Sequence, residues 1–369
     1  MAKALGIIAY NDSSVYVEGM QSYRPIAAFN FMGRFRMVDF PMSNMTNSGM
    51  DNIQVYINGN PKPLFKHIGR GRQYNINAKH GNLELVPLYK ENMTGRITPD
   101  VETYYENLHG IQASNCDYVI IAPTNIIYQA DYAELLDQHI ESGADISILY
   151  QNIDNAKEEY IGCATVQLNR QKGVESLSRN MGKYKNRSLS LETYIMSKEI
   201  FVNAILEARK TSALYWLRDI INDLCSELDV RGISYHKKIY YVYDLKSYYA
   251  ANMATLELEN MKQLQNWSVY TRSYDSSPAI YPNGGSATNS YVSNSSKISG
   301  TVVNSIIGRG AVIGKDSLIE NCLIMPEATV AANAHLKNVI VDKYANVTHK
   351  KDLEGEPDKP LYIGRRETV

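Results

Sequence analysis

Over the first 260 residues, short apolar runs alternate with segments whose apolar positions recur every three or four residues. ALGIIAY, NIQVYI, DYVIIA, ADISILY, SLETYIM and GISYHKKIYYVYD read as strands, several of them apolar on both faces as in a buried parallel sheet. EIFVNAILEARK and LRDIINDLCSEL carry the helical period. Strand alternating with helix predicts an α/β sheet over residues 1–260. Within it, VIIAPTNIIYQADY, Val119 to Tyr132, reads as buried strand, polar loop and helix entry, the kind of strand end at which open α/β sheets hold ligands.

The texture then changes. A connecting segment, 261–290, is rich in Ser, Pro, Gly, Tyr and Asn, and beyond it an apolar beat of six sets in. Ile307, Ile313 and Ile319 keep the step, and after a slip of one residue Ile324, Val330 and Leu336 resume it. A six-residue beat with small residues between predicts a left-handed parallel β-helix of hexapeptide repeats over 291–369. The open edges of such a prism favour oligomers.

Composition narrows the chemistry. Across 369 residues, 38 Lys plus Arg oppose 39 Asp plus Glu, so no global field recruits nucleic acid or an anionic membrane, and any phosphate binding must be local. The cysteines Cys116, Cys163, Cys225 and Cys322 lack metal or disulfide spacing, which points to a reducing compartment. No apolar stretch is long enough to span a bilayer, and the beginning reads as a first strand, so a cytoplasmic location is expected. Twenty-eight Tyr against six Phe suggest half-buried, hydrogen-bonded aromatic contacts.

Specific words then carry a resemblance. Phe35-Arg36-Met37-Val38-Asp39-Phe40-Pro41-Met42-Ser43-Asn44, with Asn47-Ser48-Gly49-Met50, closely resembles a segment of the glucose-1-phosphate adenylyltransferases. His67 to Gly71, Tyr104 to Leu108, Tyr128 to Tyr132 and Ser247 to Met253 look like further landmarks in the same order. The resemblance implies a Rossmann-like, GT-A-like nucleotidyltransferase domain followed by the β-helix. It also implies a reaction in which a sugar phosphate attacks the α-phosphorus of ATP, helped by carboxylate-held magnesium, by Lys and Arg and by a glycine-rich loop.

Those parts are missing or altered. After the first strand stands Tyr10-Asn11-Asp12-Ser13-Ser14, without glycine or arginine, and the family's lysine looks to be replaced by Arg24. Set against the family pattern, Asn125 falls on one metal-binding aspartate and Tyr241 on the other. An amide is only a neutral donor to a hard cation. Ser190, Glu192 and Tyr194 match the sugar-phosphate strand, with a carboxylate where the family has glycine, and the phosphate-binding lysine word is absent. Arg36, Arg70, Arg72 and Glu102 remain as vestigial nucleotide or anion-binding candidates. Arg36 is open to a second reading, an ion pair with Asp39.

The pattern resembles the D-type (GlgD) subunit group of glucose-1-phosphate adenylyltransferases in Gram-positive bacteria. That implies a chain with no catalytic residues or cofactor of its own, magnesium being held in a catalytic partner, and assembly with that homologue as a heterotetramer, self-association remaining open. Two other readings stand beside it: an active homo-oligomeric nucleotidyltransferase with a metal moved to Asp131, Asp244 or Glu102, and a module that senses a sugar phosphate or nucleotide.

Overall fold

The computed structural model describes residues 3–12, 14–76, 81–88 and 98–369. Its contacts group into two units. The first comprises 1–15, 25–27 and 40–239, and the second comprises 16–24, 28–39 and 240–369. The grouping therefore does not follow a cut at residue 260. Residues 16–24 join the second unit through contacts made far along the chain, such as the backbone hydrogen bond from Tyr16 to Tyr243 and the Tyr362 ring lying where a Cβ on Gly19 would sit.

In the first unit the apolar runs become a nine-stranded sheet. Asn82–Pro87, Asn52–Ile57, Ala4–Ala9 and Tyr118–Pro123 lie side by side and parallel, so the chain order across them is third, second, first, fourth. Val119, Ile120, Ile121 and Ala122 are all buried, which is why this run is apolar on both faces. The order reverses between the first strand and Tyr118–Pro123, and open sheets form their ligand crevice beyond the carboxyl ends at such a reversal. On the far side, Arg187–Ser197 pairs antiparallel with Tyr118–Pro123 and also with Ile146–Ile153 and Ala164–Leu168.

In the second unit the six-residue beat becomes a parallel β-helix with three sheets of five, five and four short strands. Val302 pairs with Ile319, Ile319 with Leu336 and Leu336 with Leu353, so each of these coils advances by 17 residues. Three hexapeptide sides less one residue give this step, and the slip in the apolar beat marks the shortened corner. Ile298, Ile307, Ile313, Ile324, Val330, Val341 and Val347 fill the axis. Asn304, Asn321 and Asn338 turn one corner with φ of 46°, 50° and 53°, a conformation asparagine tolerates better than most residues. Their side chains extend a ladder: Asn289 Nδ2 donates to Asn304 Oδ1 at 2.9 Å, and Asn304 Nδ2 to Asn321 Oδ1 at 2.5 Å.

Candidate functional site

The crevice at the strand reversal in the first unit is lined by Ala9, Tyr10, Asp12, Asp100, Glu192 and Arg218, together with Ile121, Pro123, Tyr194, Trp216 and Leu217. It leaves about 30 Å³ for solvent, room for about two waters. Aromatic side chains form much of its wall. Tyr10 continues the first strand inward, shares a hydrogen bond with Thr103 Oγ1 at 2.9 Å, donates to the Thr98 carbonyl at 3.2 Å and packs edge-on against Trp216, with ring centroids 6.2 Å apart. Glycines at this position would leave backbone N–H groups facing an open space. Tyrosine places a ring there instead.

Charge is also consumed internally. Asp12 Oδ2 accepts from Arg179 at 2.9 Å and from Arg218, while Asp12 Oδ1 takes the backbone N–H of Ser14 at 2.6 Å and its hydroxyl. Burial works against the Asp12 carboxylate, but these donors prevail and hold it below the ordinary carboxylate range. Asp100 is its opposite. Burial pushes this carboxyl up to about 7, despite hydrogen bonds from the backbone N–H groups of Leu217 at 2.9 Å and Val101 at 2.8 Å.

Glu192 and Tyr194 reach this crevice, and Ser190 is buried beside them, accepting the Glu192 N–H at 3.1 Å. Glu192 has φ of 48°, in the left-handed region, where the pairing of its strand with Ile146–Ile153 slips between Ser190 and Thr193. The backbone keeps a glycine-like bend although the residue is now glutamate.

The other sequence candidates have structural surroundings. Asn125 is fully buried, next to the buried Thr124. Tyr241, in the second unit, is buried and packs edge-on to Tyr243 at 5.9 Å. Neither offers a charged oxygen to a hydrated cation, so the residues at these positions do not fit magnesium. Nor do the three carboxylates considered as replacements. Asp131 caps the helix Tyr132–Ser142, accepting from Ala133 N at 2.9 Å, and Asp244 caps Leu245–Ala254, accepting from Ser247 N at 2.6 Å. Glu102 pairs with Arg209 at 2.5 Å. Among the described residues no group of three or more His, Cys, Asp or Glu is arranged to hold a metal ion.

Arg24 keeps its positive charge but uses it inside the second unit, to which it belongs: its guanidinium meets Asp342 at 2.6 Å and lies 5.4 Å from the Phe29 ring centroid. Asp39 is fully buried, and its Oδ2 accepts the backbone N–H of Arg36 at 2.8 Å and the Thr271 hydroxyl at 2.6 Å. Arg70 and Arg72 are exposed around a short turn.

Sequence reasoning missed Asp100, Arg179, Trp216 and Arg218. Arg218 lies in the first turn of Leu217–Leu224, and the only hint was the aspartate replacing a glycine-loop residue, which demands cations from elsewhere. A second cavity, of about 440 Å³ and wholly within the second unit, was also unforeseen. Arg34, Arg272 and Arg309 line it with no carboxylate among the lining residues, and the Tyr274 ring lies 5.0 Å from the Arg272 guanidinium and 3.9 Å from that of Arg309.

Residues 22–257 match the family model described as nucleotidyl transferase. The chain belongs to that family. Residues 280–359 match a second model, the GlmU-like C-terminal hexapeptide, over the β-helix. This nucleotidyl transferase homologue is similar to proteins named glucose-1-phosphate adenylyltransferase. One from Mycoplasma mobile is 27% identical over 80% of this chain and 78% of its own length. One from Fervidobacterium nodosum is 25% identical over 92% and 83%, and one from Clostridium kluyveri 28% over 81% and 79%. Among the described residues no helix is long and apolar enough to cross a membrane.

Proposed function

We propose that this chain is a catalytically impaired subunit of a glucose-1-phosphate adenylyltransferase, of the D type, which assembles with a catalytic homologue and raises or modulates its synthesis of ADP-glucose for glycogen. The observation that carries this reading is the crevice at the strand reversal. Tyr10 and Trp216 line it, Asp12 engages Arg218 there, and about 30 Å³ is too little for a nucleotide. The burial of Asn125 and Tyr241 adds to the case, since two metal carboxylates would have stood there. Losing one preorganised charge typically costs ~10² to 10³ in rate, and here several parts are lost together. Magnesium and the reacting groups would then belong to the partner, probed as a heterotetramer. Its activation is a coupling free energy: contacts made only in the mixed assembly favour the partner's active conformation. The test is ADP-glucose formation by this chain, by the catalytic homologue and by both together. Silence alone with a higher rate on mixing supports the reading. Turnover by this chain alone, or a verified complex with unchanged kinetics, refutes it.

The arginine-lined cavity favours a second reading, a module that senses a phosphorylated sugar or nucleotide. Arg34, Arg272 and Arg309 line a space of ligand size together with the Tyr274 ring. Calorimetry with a panel of sugar phosphates and adenine nucleotides separates it from a subunit that acts through assembly alone.

A further inference from the structure

We propose that the arginine-lined cavity of the second unit is a site for a condensed phosphate, either inorganic pyrophosphate or the phosphate tail of a nucleoside diphosphate; this narrows the sensing reading and rests on it. The local fold brings three cations to the cavity from separate segments. Asn30–Phe31 and Phe35–Arg36 pair antiparallel, so Arg34 stands in the turn between them. That turn lies against the β-helix: a Cβ on Gly33, whose φ is 68°, would come within 3.0 Å of the Ile307 carbonyl oxygen and of Ser293 Oγ. Arg309 follows Ile306–Ile307 at a corner of the β-helix, where the Gly310 N–H donates to the Asn294 carbonyl at 3.2 Å. Arg272 enters from the segment that precedes the β-helix.

The lining sets the class of ligand. The guanidinium groups lie over rings, Arg309 at 3.9 Å and Arg272 at 5.0 Å from the Tyr274 centroid and Arg34 at 5.6 Å from that of Phe35. Stacking of this kind uses the flat face of a guanidinium and leaves its N–H edge for an acceptor. Arg309 Nε is buried with no hydrogen-bond partner among the described residues. Burial, and with it the neighbouring Arg34, holds Arg309 below the ordinary arginine range, although Tyr274 and Glu327 act the other way. A ligand that brings several negative oxygens at once relieves this repulsion better than a single charge does. No carboxylate lines the cavity, so the hydroxyl donors of a sugar find few acceptors there, whereas ionised phosphate oxygens only accept. At about 440 Å³ the space is larger than one phosphate needs and admits a diphosphate reaching more than one guanidinium.

Isothermal titration calorimetry of the full chain, without magnesium and at constant ionic strength, compares pyrophosphate and ADP with orthophosphate, AMP and glucose 1-phosphate. Pyrophosphate is expected to bind at least about tenfold more tightly than the three ligands with a single phosphorus, and Arg309→Gln to lose about tenfold or more of that affinity. Arg34→Gln, at an exposed position of the turn, is expected to weaken binding in the same direction and serves if Arg309→Gln does not fold. ADP matching pyrophosphate makes a nucleotide tail an occupant, and ADP failing to bind leaves inorganic pyrophosphate; both support the site. Pyrophosphate affinity unchanged in the folded arginine variants, or no tighter than that of orthophosphate, overturns the proposal. If AMP or glucose 1-phosphate binds best and depends on Arg309, the sensing reading holds and the condensed-phosphate site falls; if none of the five binds, both fall.

Discussion

Arg24 and Asp342 lie 318 residues apart in the chain and 2.6 Å apart in space, a pair almost sealed from solvent. Asp342 also accepts the Tyr362 hydroxyl at 2.7 Å, so one carboxylate ties an early segment to the last coils of the β-helix within the second unit. A cation that family resemblance would place near a phosphate therefore serves as a fastener.

Breaking this pair from one side should be severe. Asp342→Ala strands a buried guanidinium and is expected to lower stability by about 3–5 kcal/mol, whereas Arg24→Met combined with Asp342→Leu should lie much closer to the parent. Urea denaturation of the three chains decides it. Equal losses in the single and double variants would mean that packing, rather than stranded charge, dominates.

Asp100 sets a pH dependence. It keeps its proton up to about 7 in the fold, while the unfolded chain releases it near 3.8. Between these values folding takes up a proton, so this group's contribution to stability falls as pH rises from about 4 to about 7 and is level above that. Asp12, held below the ordinary range, acts in the opposite sense but only at pH lower still. Urea midpoints measured across that window should decline for the parent and flatten in Asp100→Asn; parallel curves would contradict the account.

Restoring one carboxylate should not restore chemistry. Asn125→Asp places a charge at a fully buried position with no carboxylate group arranged for a metal among the described residues, so a loss of about 1–3 kcal/mol is expected, with no magnesium-dependent release of pyrophosphate. Thermal melts and a pyrophosphate assay on the purified chain suffice. Measurable turnover would return Asn125 to the centre of a working site.

Glu192 tests the inherited bend. With φ of 48° in a non-glycine residue, Glu192→Gly should relieve about 1–2 kcal/mol of strain, partly offset by about 0.5–1 kcal/mol of chain entropy. A small net gain in denaturation midpoint is expected. A clear loss would show that glutamate contacts outweigh the strain.

How much of this was readable in advance depends on the range of each interaction. Ile307, Ile313 and Ile319 announce the β-helix because every coil must bury the same position, and they pair in register with Ile324, Val330 and Leu336. The buried run Val119 to Ala122 is equally explicit. Asp131 and Asp244 also betray their capping roles, standing directly before helices. By contrast, Asp12 meets Arg179 at a separation of 167 residues and Arg218 at 206. Such pairings leave no period, so the sequence could show that the glycine loop was gone but not what had closed the space.

The 17-residue coil has a consequence for how this region tolerates changes in length. Steps of 17 keep Val302, Ile319, Leu336 and Leu353 in one column, yet Ala287 reaches that column across 15 residues and Val341 pairs with Ile363 across 22, so differences in length are taken up in the corners between strands. The β-helix thus behaves as a stack whose strands hold their columns while its corners absorb the differences in length.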